Sequence, residues 1–357
     1  GSVAYRESKL LEMTDAHDVR LREVVALARR QGTAGGSTHR ISVQLSQLLL
    51  RWCCNTRNVH LLRGLPARLV DEAARRHDQS VKVACAAALG FYNVGGEGAP
   101  EFLHGVADAS LPREFVKAYD QIRLDASAGG HGLRAWALHA DAAFVGQWAL
   151  TVQSAQIPGA PVGELYYPVL THVVKCAGDY VSDASQDDGS VPMIRDLAEA
   201  WERSVARTRE ATGLGLQSHN ARVECLGTWL EATAADVRNI ICMPEQAQRE
   251  LSATVGALQL HAFERSVRED THWDSTRRLA NWVSQRGWVP GRWAQVVPWD
   301  RQGYLNLSNT AYVIAFCRRY RLERPFRFRG PDTCKCGWSR VGLGKCCFDG
   351  DHDECDC

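Results

Sequence analysis

Lysine is scarce in this chain of 357 residues: there are six, against 36 arginines. A GC-rich coding sequence produces such a bias, and so does selection for a planar guanidinium fork that grips phosphates and stacks on bases. Long apolar runs are missing as well. None approaches the ~20 residues that a helix needs to cross a bilayer, which excludes a helical membrane span. Nor is charge of one sign in excess: the formal net charge is +1, so any attraction for nucleic acid has to come from a local patch. What remains is an ordinary globular composition, 45% hydrophobic and 23% charged, in a chain long enough for two or three packed units; disorder is not expected. The chain opens on Gly1-Ser2 rather than Met, as a cleaved leader, a tag remnant or a piece of a longer protein would.

Strand-like alternation is scarce, and helical spacing dominates. Residues 16–30 read as a surface helix with Val19, Val24, Leu27 and Ala28 near one spacing, ended by Gly32 and Gly35-Gly36. ISVQLSQLLLRWCC and, after Pro66, the alanine-rich ARLVDEAARRHDQSVKVACAAALG read as two more helices, the second stopping at Gly90. Residues 91–132 are glycine-rich and weakly periodic, which predicts a loop-rich insertion carrying one short helix near 111–120. Helical spacing returns over 135–152, and IPGAPVGE marks a boundary near 157–164. Further helices are predicted over 166–180, 191–209, 220–241 and 244–269. The fold class read from this pattern is mainly α, with no repeat period.

Two stretches carry candidate binding chemistry. In NWVSQRGWVPGRWAQVVPWD, Trp282, Trp288, Trp293 and Trp299 recur every five or six residues; they read as anchors of an irregular segment on the helical body, or as a stacking platform for bases. LNLSNTAYVIAFCRRYRLERPFRFRG holds a helix that Ser308 can cap, with Tyr312, Ala315, Phe316 and Tyr320 near one face. Beyond it come Arg318, Arg319, Arg321, Arg324, Arg327 and Arg329, interleaved with Tyr320, Phe326 and Phe328. Alternating arginines and rings suit phosphate contact with base stacking, where a helix end needs only a residue or two for its dipole. His131, His139 and His172 lie in or near predicted helices and read as packed or surface residues. No spacing argues for a catalytic arrangement, and no catalytic residue is predicted.

Three stretches, in order, resemble the region C-terminal to the polymerase core in reverse transcriptases of non-LTR retrotransposons. QLLLRWCCNTRNVHLLRGLPARLVDEAARRHD, residues 47–78, resembles that family's thumb-region run. GGHGLRAWALHADAAFVGQWAL, residues 129–150, is similar to its "GGLGLRS" segment, and LNLSNTAYVIAFCRRYRL with the cysteine tail resembles its "LS-x-x-x-F" helix and zinc knuckle. The resemblance implies a helical thumb-like region (1–90), a loop-rich insertion plus helix (91–160), a helical linker domain (161–330) and a Cys/His knuckle (331–357). It also implies a second nucleic-acid contact through Arg51, Arg57 and Arg63. The family's aromatic-Ala-Asp-Asp turn is missing: Asp187-Asp188 is the only Asp pair, and it sits in a Ser, Gln and Gly loop. Two-metal phosphoryl transfer needs carboxylates on a rigid scaffold, so the chain is not expected to polymerise.

The tail, CKCGWSRVGLGKCCFDGDHDECDC, packs six of the thirteen cysteines after residue 333. A zinc ion needs four thiolate or imidazole ligands, and the natural set is Cys334, Cys336, His352 and one of Cys355 or Cys357. Cys346 and Cys347 are further candidates; a site without His352, a disulfide knot and a metal-free tail stay open. The other cysteines are scattered, and Cys53-Cys54 reads as reduced core cysteine. The acids around the tail repel phosphate, so the arginines before it are the better RNA surface. The expected partners are a structured or ribosomal RNA and neighbouring proteins of a ribonucleoprotein, with no membrane and no small-molecule substrate. A mitochondrial or other organellar ribosome is one such home, and a nuclear particle is another. The alternatives are a fragment of an active retrotransposon enzyme and a zinc-stabilised protein-interaction scaffold.

Overall fold

A computed structural model of the chain describes residues 3–29, 41–57, 59–95, 98–161, 165–182, 192–220, 222–233, 236–244, 246–269, 273–284, 286 and 309–322. Among these the fold is mainly α, as the sequence predicts. The helices are α1 (Val3–Arg29), α2 (Val43–Leu49), α3 (Val59–Gly64), α4 (Ala67–Leu89), α5 (Arg113–Arg123), α6 (Trp136–Ser154) and α7 (Pro168–Ser182). They continue as α8 (Pro192–Gly213), α9 (Thr228–Thr233), α10 (Ala247–Glu269), α11 (Trp273–Ser284) and α12 (Asn309–Tyr320). No strand occurs among the described residues, only a bridge between Gln156 and Leu165. No described helix is long and apolar enough to cross a membrane.

Local chemistry sets the ends. Ser42 caps α2 by accepting the Leu45 amide at 3.1 Å, and a wider π turn, Leu50–Cys54, follows, closed by the Asn55 amide donating to the Leu50 carbonyl at 2.7 Å. Pro66 precedes α4, and Gly90, at φ 92, ends it where the sequence predicts. Phe91 then donates its amide back to Ala86 at 2.8 Å, satisfying a carbonyl the helix leaves open.

The first core joins Leu21 and Val25 of α1, the alanine-rich end of α4, Phe115, Tyr119 and Ile122 of α5, and Tyr312, Phe316 and Tyr320 of α12. It therefore runs across the expected boundary at residue 90, and the segment 91–132 supplies core side chains rather than a separate insertion. A second core gathers α6, α7, α8 and α10 around Trp201 and Trp229, whose rings meet edge to face at 5.3 Å. Buried carboxylates tie these helices together. Asp18 of α1 accepts the Ser80 hydroxyl at 2.5 Å and the Leu103 amide at 2.9 Å; Asp78 of α4 accepts the Trp136 and Ala137 amides, 2.7 and 3.1 Å, at the start of α6. Asp141 of α6 pairs with Arg203 and Arg207 of α8, and Asp196 of α8 holds Arg68 of α4. Asp18, Asp141 and Asp196 each have an arginine partner, Asp18 through Arg22 at 3.5 Å, since an uncompensated buried charge costs several kcal/mol, on the order of 3–5, whereas Asp78 is held by amides alone.

Three expectations need correction. The helix predicted over 220–241 is broken: Gly227, at φ 90, starts the short α9, and Asp236 accepts the Arg238 amide at 2.9 Å to begin a 3-10 turn, Val237–Cys242. The first helix is longer than predicted and is no mere surface helix, because Leu21 and Val25 are fully buried while Val19 is half exposed. Of the Cys53-Cys54 pair only Cys54 is buried; Cys53 faces outward, and both are free thiols.

Candidate nucleic-acid interface

The segment 124–134 lies where the helices that bear the candidate arginines meet. It folds on itself through amides of Gly130, His131 and Gly132 donating to the carbonyls of Asp125, Ile122 and Leu124 at 3.0, 2.9 and 2.8 Å. Gly130 admits no side chain, because a Cβ there would stand 1.9 Å from the Leu124 oxygen. Four neighbours grip the segment. Trp282, fully buried, donates its indole N–H to the Ala128 carbonyl at 2.9 Å; Gln121 donates to that of Gly129 at 3.2 Å. Arg319 donates to that of Gly130 at 3.3 Å, and the Arg51 guanidinium lies over Gly132.

His131 sits inside this junction, with its ring edge on Phe316 at 5.4 Å. Burial, then the nearby charges of Arg51 and Arg319, hold it neutral with a pKa of about 3. Burial likewise lowers Arg51. The three stretches that carry the resemblance thus converge on one loop: the π turn with Arg51, the glycine segment 129–132, and α12 with Phe316 and Arg319.

The structure separates the predicted contact residues. Arg319 is only 4% exposed and is committed to the interior, so it is corrected from a surface contact to a holder of the glycine loop. Its neighbours Arg318 and Arg321 are exposed, and so are Arg57 and Arg63; Arg51 is half-buried. Among the described residues no carboxylate comes within ion-pair distance of Arg51, Arg57, Arg63, Arg318 or Arg321. The contrast with the neighbouring stretch is sharp in charge terms: Arg68, Arg75 and Arg76 all hold acids, Asp196, Asp71 and Glu72. Arg324, Arg327 and Arg329 lie outside the described residues.

No protein-family model, curated protein or solved structure matches the chain.

Arg63 has further company that the sequence did not reveal. It lines a cleft of about 630 Å³ together with Arg123, Arg134 and Arg249, facing Asp125. Arg134 is bound to Asp125 at 3.0 Å and Arg123 to Asp120 at 2.5 Å, while among the described residues Arg249 reaches only the Gln246 amide oxygen, at 3.4 Å. His139 and His219 also line the cleft; desolvation, then Arg134, holds His139 down to about 4, and burial, then Arg286, lowers His219. Both are therefore neutral near pH 7 and add no positive charge to that of the arginines. The cleft's walls come from α3, α5, α6 and α10, which explains why no linear motif announces it. One signal was available, since clustered glycines such as Gly129, Gly130 and Gly132 mark close backbone approach.

Trp282 is a buried anchor, which is one of the two readings its spacing allowed; Trp288, Trp293 and Trp299 lie outside the described residues. His131 is packed, and His172 is exposed on α7, its ring 3.6 Å from the Cys176 thiol. Among the described residues no group of His, Cys, Asp and Glu could hold a metal. Cys334, Cys336, Cys346, Cys347, His352, Cys355 and Cys357 lie outside them.

Proposed function

We propose that the chain is a non-catalytic RNA-binding component of a ribonucleoprotein, derived from a retroelement reverse transcriptase, with an organellar ribosome as one setting. The observation that carries this is the absence of acids beside the surface arginines that the sequence points to. Those the sequence points to as contacts, and that reach the surface, have no acid among the described residues, whereas Arg68, Arg75 and Arg76 are neutralised. An exposed guanidinium without a carboxylate is free to fork onto a phosphate, and each such contact releases counterions. Convergence of the three resembling stretches on one loop supports a common origin for them, because residues far apart in sequence then serve a single junction.

Zinc belongs to this proposal through the tail's donor set alone. Cys334, Cys336, His352 and either Cys355 or Cys357 supply the thiolates and imidazole that a structural zinc site takes. The test of the whole reading is to crosslink the protein in native extract, purify it under denaturing wash, and sequence what is attached. Enrichment of one RNA with its particle proteins is expected; protein partners without RNA would replace this reading with the interaction scaffold.

A further inference from the structure

We propose that Trp52 is a stacking platform for one base of a single-stranded RNA segment whose phosphates are held by Arg57 and Arg63. This rests on the RNA reading above and adds a site to it. Among the described tryptophan side chains, Trp52 alone is largely exposed, at 45%. Other indoles are used inside the fold: Trp136 stacks on His77 at 3.6 Å, Trp201 meets Trp229, and Trp282 meets Phe263, both at 5.3 Å. Among the described residues the one ring contact of Trp52 is a guanidinium, that of Arg51, 5.9 Å from its centroid.

Its position is fixed from behind. The π turn that carries it is closed by Asn55, whose carbonyl in turn accepts the buried Trp136 indole N–H at 2.7 Å, and Thr56 donates its hydroxyl to the Trp52 carbonyl. The backbone is thereby held while the indole stays outside. Arg57 follows five residues on and is exposed, as is Arg63 at the end of α3. Among the described residues neither arginine has a carboxylate within ion-pair distance. A flat apolar ring beside the Arg51 guanidinium, with Arg57 and Arg63 following in the same stretch of chain, matches a base flanked by its own phosphates: the ring takes the π-face and the arginines take the charge. Duplex RNA does not offer that face, because its bases are stacked on one another.

The experiment measures binding of the full chain to a labelled single-stranded oligoadenylate and to a blunt RNA duplex, for wild type, Trp52→Ala, Trp52→Tyr and the Arg57→Gln/Arg63→Gln pair. Loss of one stacked base lowers affinity about 5- to 150-fold. That loss is expected for Trp52→Ala on oligoadenylate only, with the salt dependence unchanged and most of the affinity restored by tyrosine. If Trp52→Ala binds oligoadenylate as wild type does while the arginine pair weakens it, the platform is refuted and RNA binding stands. Equal losses on strand and duplex that tyrosine does not restore refute the platform too, by making Trp52 structural. A wild type that binds neither probe refutes the RNA reading itself.

Discussion

Replacing Gly130 by alanine would set a methyl carbon 1.9 Å from the Leu124 carbonyl oxygen and 2.7 Å from that of Gln121. Ordinary contact begins near 3.4 Å, and both obstacles are backbone, which cannot rotate out of the way as a side chain can. The loop must open by more than about 1 Å, and the bonds it would stretch are those of Gly130, His131 and Gly132 to Asp125, Ile122 and Leu124, at 3.0, 2.9 and 2.8 Å. Losing two of them in the interior costs about 1–3 kcal/mol each. For a chain of this size that is a fall in melting temperature of about 4–12 °C, at roughly 2 °C per kcal/mol. The same substitution at Gly256, inside α10 with open space around its Cβ position, removes a helical glycine and should gain about 0.5–1 kcal/mol. Thermal unfolding followed by circular dichroism compares the two variants with wild type. A Gly130→Ala protein that melts with wild type, or a Gly256→Ala protein that falls as far, would refute the packing described for this loop.

Two further outcomes are expected. Burial raises the Asp78 carboxyl from 3.8 to about 7, so the folded chain holds that proton more tightly than the unfolded one. Its stabilising contribution is complete below pH 3.8, declines as pH rises and is gone above about 7; the buried histidines, whose values are lowered, push the other way. Asp78→Asn should therefore remove the declining component between these limits, and a difference between variant and wild-type melting that does not change with pH would count against it. The protein purified without chelator should contain about one zinc per chain, and a chelator should remove it while the helical signal stays, since a structural site supports its own local fold by ~10 kcal/mol or more. Metal analysis that finds no zinc would end the zinc assignment.

How much of this could be read in advance depends on whether the information is local. The alanine-rich α4 and its stop at Gly90 are local, because propensity and a left-handed glycine act within one turn. The break at Gly227 was missed, since a lone glycine amid helical spacing gives no sign that its backbone will turn left-handed. Arg318 and Arg319 illustrate the finer limit. Successive helical residues point about 100° apart, and Arg319 falls three after Phe316 and seven after Tyr312, on the buried face. That spacing was legible, and the weight given to a run of arginines hid it. The cleft holding Arg63, Arg123, Arg134 and Arg249 was not legible, because it takes the packing of α3 and α10 against α6 to bring those residues together.

The central claim is that Arg57, Arg63 and Arg318 are phosphate contacts, and the salt dependence of RNA binding tests it most directly. Each contact with a single strand contributes about 0.7 to the slope of log K against log salt, so the triple Arg→Gln variant should lose about two from the magnitude of that slope. A control triple at Arg75, Arg195 and Arg268, whose guanidiniums already hold Asp71, Glu199 and Glu264 at 2.6, 2.8 and 2.6 Å, should change it far less. Equal slopes for wild type and the first triple, both folded, would contradict the account.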